Sequence, residues 1–86
     1  MASYRIVLRK SAAKEIEKLD KKTIARVIGK IQALSGDPRP PGCKKLSGEE
    51  KYRIRVGAYR ILYQIVDHEL IVTVVRVCHR RDAYRK

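Results

Sequence analysis

Three arginines crowd into the stretch Lys51–Val66, KYRIRVGAYRILYQIV: Arg53, Arg55 and Arg60. A guanidinium is a planar, permanently protonated fork suited to gripping phosphate through two parallel hydrogen bonds. Tyr52, Ile54 and Val56 alternate with Arg53 and Arg55, which predicts a strand with two unlike faces. After Gly57-Ala58, Tyr59, Ile61, Tyr63 and Ile65 alternate with Arg60, Leu62, Gln64 and Val66, which predicts a second strand. A two-residue loop opposes Val56 to Tyr59, and so opposes Arg55 to Arg60 and Arg53 to Leu62. The arginines then converge on one sheet face. Like charges directly opposite destabilise a sheet unless an anion lies between them. The competing reading is three solvated arginines on an open face, which suffices for one arginine and less well for three.

The whole composition leans the same way. Lys and Arg number 21 against 9 Asp and Glu in 86 residues, a net charge of +12 that points to a polyanionic partner, nucleic acid foremost. A membrane surface fits poorly, for the chain has neither Trp nor Phe and no basic amphipathic helix with aromatic anchors. From Tyr52 onward there are seven arginines and one lysine, whereas the earlier residues hold four arginines and nine lysines. The C-terminal half is therefore where phosphate chemistry is expected. Cys43 and Cys78 are too sparse for a disulfide framework, and with His68 and His79 they make no zinc spacing. No signal peptide is read and the longest apolar run, Leu70–Val75, cannot span a bilayer, so a cytoplasmic protein without metal or cofactor is expected.

The elements that must position the hairpin follow in order. Tyr4, Ile6 and Leu8 alternate with Arg5, Val7 and Arg9, a first strand. Ser11 is read as the N-cap of a short helix with the apolar stripe Ala12, Ile16 and Leu19. Asp20 opens a second helix whose stripe is Ile24, Val27, Ile28, Ile31 and Leu34, ended near Gly36 and Pro38. Its other face carries Lys22, Arg26 and Lys30, a row that reads as a solvated surface. GDPRPPGC, residues 36–43, is a rigid connector, and Lys44-Lys45 a short extended piece beyond it. Asp67-His68-Glu69 makes a turn into a last strand, LIVTVVRVC, apolar on both faces and hence central or well covered. One domain over residues 1–86 is expected, a two-layer α+β fold in the order β-α-α-β-β-β. Its sheet is four-stranded and mainly antiparallel, with the helical pair on one face.

Y-R-I-R at 52–55, Y-R-I-L-Y at 59–63 and H-R-R-D-A-Y-R at 79–85 together resemble the RelE branch of the RelE/ParE bacterial toxins. The likeness runs over essentially the whole chain; the hairpin motif is shared by the superfamily, and the closing H-R-x-x-x-Y is characteristic of its RNA-cleaving members. The resemblance implies a ribosome-dependent endoribonuclease that cuts mRNA in the A site of the 30S subunit, held inactive by a cognate RelB-like antitoxin. Residue by residue it places the site at Arg53, Arg55, Arg60, Arg80 and Tyr84. The best-known member has lysines where this chain has Arg53 and Arg55, and arginine cannot readily serve as a base.

Such chemistry needs no metal. The 2′-hydroxyl attacks the adjacent phosphorus, and the protein aligns the attack and stabilises the charge that develops. Arg60 and Arg80 are assigned to the phosphate, Arg53 and Arg55 to positioning, and Tyr84 to orienting the nucleotide. His79 is the nearby side chain whose ordinary pKa suits proton transfer. Lys44, Lys45, Lys51 and Arg81 are candidate contacts to RNA and ribosomal RNA. Two other classes compete: a ParE-like inhibitor of DNA gyrase that cleaves nothing, and a small basic RNA-binding protein.

Overall fold

The computed structural model describes residues 3–46 and 51–79. Chain order is β1 (Arg5–Leu8), α1 (Lys10–Glu17), α2 (Lys21–Ala33), β2 (Lys44–Lys45), β3 (Lys51–Val56), β4 (Tyr59–Val66) and β5 (Ile71–His79). The strands form a single sheet in the order β1-β5-β4-β3-β2. β1 runs parallel to β5, and every other pairing is antiparallel. The sheet thus has five strands rather than the four expected. The addition is Lys44-Lys45, which pairs with Arg53 and Tyr52 at one edge.

β5 lies between β1 and β4, the central position its two apolar faces require. Ala12 and Ile16 of α1 and Val27, Ile31 and Leu34 beneath α2 are buried against Tyr52, Ile54, Val56, Ile61, Tyr63, Ile65, Val72, Val74 and Val77. β3, β4 and β5 contribute alternate residues to this layer, and among the described residues no helix lies on the other sheet face. Ile28 and Ile24 pack at the margin of the core, because the α2 stripe is centred on Val27 and Ile31. At the ends of the helices two local details differ from expectation. α1 starts one residue ahead of Ser11, whose hydroxyl instead donates to the Val75 carbonyl at 2.9 Å and ties the helix to β5. Asp20 does occupy the N-cap position of α2, but its carboxylate accepts from the Thr23 hydroxyl rather than from a backbone N–H.

Two turns aim the strands. Gly57 takes φ +59 at the first central position of the β3–β4 loop, and Ala58 keeps a negative φ, the φ pattern of a tight II′ hairpin. The β4–β5 connection is a single 3₁₀ turn, Asp67–Glu69, closed by Leu70 in the left-handed region at φ 54. Val75 is the extra residue of a bulge in β5, where the register with β4 shifts between Leu62 and Tyr63.

Candidate functional site

The hairpin register is the one a two-residue loop dictates. Arg55 stands opposite Arg60, Arg53 opposite Leu62 and Val56 opposite Tyr59. Directly paired residues share a face, so Arg53, Arg55 and Arg60 all point away from the helices, and Cys78 lies beside Arg60 from β5. The three differ sharply in environment. Arg55 is exposed and Arg53 half-buried, whereas Arg60 is only 6% exposed, the one charged residue among the buried side chains described. Its Nε and Nη1 are shielded from solvent. Holding a guanidinium out of water is costly, so its burial on this face calls for a reason beyond packing.

A groove of about 350 Å³ opens beside this face at the β2–β3 edge. Lys30 of α2, Lys44 of β2, Arg53 and Arg55 of β3, and Pro41, Gly42 and Ile54 line it. One turn earlier on α2, Arg26 reaches the hairpin tip: a Cβ at Gly57 would lie 3.7 Å from its Nη1. The helix row Lys22–Arg26–Lys30 is therefore not wholly a detached solvated face. Its last two members meet the hairpin, which the i, i+4 spacing alone could not show. Lys45 is exposed opposite Tyr52, and Lys51 pairs with Gln64 and borders a smaller, apolar pocket with Leu46, Leu62, Tyr63 and Val75.

His79 does not join the arginines. It pairs with Tyr59, and the two rings meet edge to face at 5.4 Å on the helix-covered side of the sheet. Strand alternation explains this, since neighbours in sequence point to opposite faces and Cys78, not His79, shares the face of Arg60. His79, the candidate for acid/base work, thus stands on the face opposite Arg53, Arg55 and Arg60. Close by, Glu15 of α1 accepts from the Arg76 Nε at 2.8 Å and from the Val77 amide at 2.8 Å, and its second contact to Arg76, at Nη2, is 2.7 Å. That carboxylate secures the strand just after the bulge, a pairing that nothing in the sequence signals. Arg80, Arg81 and Tyr84 lie outside the described residues. Among those described, no three His, Cys, Asp or Glu side chains gather as a metal ion would need.

A polar cluster at the far end of the sheet fixes the connector that walls the groove. Arg39 donates to both Asp67 carboxylate oxygens, at 3.1 and 2.8 Å, and through Nε to the Tyr52 hydroxyl at 3.0 Å. Tyr4 donates to Asp67 at 2.7 Å. The Arg39 hydrogen bonds, followed by that from Tyr4, hold the Asp67 carboxyl down at about 2. Tyr63 stacks on Tyr52 with ring centroids 5.8 Å apart and donates to the Pro38 carbonyl at 2.8 Å. Burial, ahead of the neighbouring Cys43, raises the Tyr63 phenol well above its ordinary range. Pro38 and Arg39 are thereby anchored, and Pro41 and Gly42 just beyond them are carried to the groove.

With this geometry in view, comparison with known proteins gives one consistent answer. Residues 6–84 match the family described as ParE toxin of type II toxin–antitoxin system, parDE. The chain is 33% identical to a protein of Escherichia coli described as RelE-like toxin, over 94% of this chain and 90% of that one. It is 32% identical to toxin RelG of Mycobacterium tuberculosis, over 96% and 98% of the two chains. Its fold is similar to that of the archaeal RelE–RelB complex from Pyrococcus horikoshii OT3, with a TM-score of 0.84, 25% identity and coverage of 94% and 99%.

Proposed function

The chain belongs to the ParE toxin family of type II toxin–antitoxin systems, among relatives of the RelE branch, and on that premise we propose that it is a ribosome-dependent endoribonuclease that cuts mRNA in the decoding site. The observation that carries this reading is Arg55 set opposite Arg60, with Arg53 on the same face, turned away from α1 and α2. A binding protein of the RelE fold that cleaves nothing has no need to keep one of those guanidiniums buried.

The reaction uses the nucleophile that RNA supplies. The 2′-oxygen loses its proton and bonds to the adjacent phosphorus, and the bond from phosphorus to the 5′-oxygen breaks. The departing oxygen takes up a proton. One fragment ends in a 2′,3′-cyclic phosphate and the other begins with a 5′-hydroxyl. Arg60, with Arg80, neutralises the charge that accumulates on the phosphorus-bound oxygens, and donors fixed beforehand serve this best. Arg53 and Arg55 hold the strand, and Tyr84 orients the nucleotide at the cut. Because His79 lies on the opposite face, we assign both proton transfers to water. Lys44, Lys45, Lys51 and Arg81 add affinity for RNA through charge.

As a RelE-type toxin it is paired with a neutralising antitoxin, as the RelE of the archaeal complex is with RelB. A surface of net charge +12 suits an acidic segment that folds on binding. Programmed ribosomes carrying an unmodified message, or one with a 2′-O-methyl at the cut position, test the activity. Cutting of the first alone, with a cyclic phosphate on the upstream fragment, is expected. If neither message is cut and the protein instead blocks gyrase supercoiling, the ParE-like function is the correct one.

A further inference from the structure

We infer that Arg26 and Lys30 of α2 and Lys44 of β2 form, with Arg55, a track for the sugar–phosphate backbone of single-stranded RNA that turns round the β3 edge, away from the scissile position. The inference rests on the RNA-directed function proposed above and deepens it, by naming where the flanking nucleotides lie.

Four observations support it. Among the described residues, the groove at this edge is lined by Lys30, Lys44, Arg53 and Arg55 and by no carboxylate. Among the described residues, neither Arg26, Lys30, Lys44 nor Arg55 is in an ion pair. α2, which carries Arg26 and Lys30, contains no acidic residue at all. Cations gathered at one edge without internal partners are better explained by an external anion than by stability. Finally, β2 is two residues long and pairs with Tyr52 and Arg53, so that among the described residues no strand covers the edge of β3 from Ile54 onward.

The lining also distinguishes a nucleic acid from a peptide. A segment that folds on binding needs apolar anchor sites to offset its ordering. Here the apolar contributions are Pro41 and Ile54, and Ile54 is already 3% exposed in the core. A phosphodiester chain asks for little more than spaced cations. Gly42, at φ +92 with open space where a Cβ would stand, leaves room for a backbone to pass.

The probe is a short, uncleavable 2′-O-methyl oligoribonucleotide, with affinity followed by fluorescence anisotropy across a salt series. Lys30→Ala/Lys44→Ala should weaken binding on the order of tenfold and flatten the slope of log K against log salt by about 1.4, or ~0.7 for each phosphate left unneutralised. Lys10→Ala/Lys14→Ala on α1 removes equal charge elsewhere and should leave the slope nearly unchanged. A second arm uses ribosomes programmed with messages ending at the cut codon or running past it. A loss seen only with the longer message identifies the track's RNA as message, and an equal loss with both identifies it as ribosomal RNA. If both double variants lower the slope alike, the binding is diffuse and the track does not exist. If RNA binding is unchanged while affinity for the purified antitoxin falls, the groove is a protein interface and the inference is overturned. Failure of wild-type protein both to bind the oligonucleotide and to cut message on ribosomes removes the RNA reading itself, a result separable from either.

Discussion

Arg55 and Arg60 face each other directly across the β3–β4 hairpin, one exposed and the other buried, on the sheet face turned away from α1 and α2. Two guanidiniums in register repel, so the pair works against the fold that presents it. Arg55→Thr should raise the stability of the isolated protein by ~0.2–1 kcal/mol, because it removes the repulsion and substitutes a residue that favours strands. The same change should weaken cleavage on programmed ribosomes. Chemical denaturation and cleavage assays on one preparation decide the matter. A variant that is both less stable and fully active would show that the two side chains do not compete.

Arg60→Ala should be the more damaging change to catalysis. Loss of one preorganised donor to a transition-state oxyanion commonly costs ~10²–10³ in rate. Ribosome affinity should change far less, since Arg60 is cast as a ligand of the transition state. Rates at saturating ribosome separate the effects, and a variant with normal turnover but weak binding would move Arg60 from the reacting phosphate to the flanking strand.

His79→Gln tests the assignment of proton transfer to water. The imidazole meets Tyr59 on the other side of the sheet, so cleavage should stay within about threefold of wild type, far short of the ~10²-fold and more that loss of a general acid or base produces. The pH–rate profile should likewise keep its shape around the ordinary histidine range. A flattened profile together with a hundredfold loss would return His79 to the mechanism.

How much of this was legible in the sequence depended on whether a local rule governed it. The hairpin register was legible because Gly57-Ala58 leaves room for one turn and period-2 alternation does the rest. The parallel partnership of β1 with β5 was not, since residues over sixty positions apart are paired by the packing of both helices rather than by any local signal. Lys44-Lys45 carries no period, and a two-residue strand exists only because β3 offers an edge. Ser11 looks like a cap by type, but its hydroxyl is committed to Val75. The basic row on α2 could be counted from the sequence, yet its meeting with the hairpin depends on where α2 lies on the sheet. Strand alternation in fact argued against His79 as a partner of Arg60 once Cys78 was paired with that arginine, a relation that needs the bulged register of β5.

The core makes a graded prediction. Ile31 is 3% exposed at the centre of the α2 stripe, whereas Ile28 packs at its margin. Ile31→Ala should cost ~2–5 kcal/mol, much of the stability of so small a domain. Ile28→Ala should cost about half as much, since less area is withdrawn from water there. Equal losses in urea denaturation would mean that α2 is rotated from its described setting.

Acid should expose the role of the Arg39–Asp67–Tyr4 cluster. Asp67 titrates at about 2 in the fold against 3.8 ordinarily, because Arg39 and then Tyr4 hydrogen-bond its charged form. A carboxyl with a depressed folded pKa binds protons more readily when unfolded, so its contribution is present in full above the unfolded value. That contribution drains away as pH falls from about 3.8 toward 2. Arg39 and Asp67 are 40% and 53% exposed, which lets solvent and salt screen the pair and keeps the effect modest. Asp67→Asn should be less stable than wild type at about pH 6, and the gap should narrow steadily below about pH 4. Tyr4→Phe should narrow the same gap partway, as it removes the second of the two donors. Denaturation series at several pH values and two salt concentrations provide the measurement. A constant difference between wild type and Asp67→Asn down to about pH 2 would mean that the carboxylate's charge contributes nothing, and that shape alone joins the connector to the β4–β5 turn.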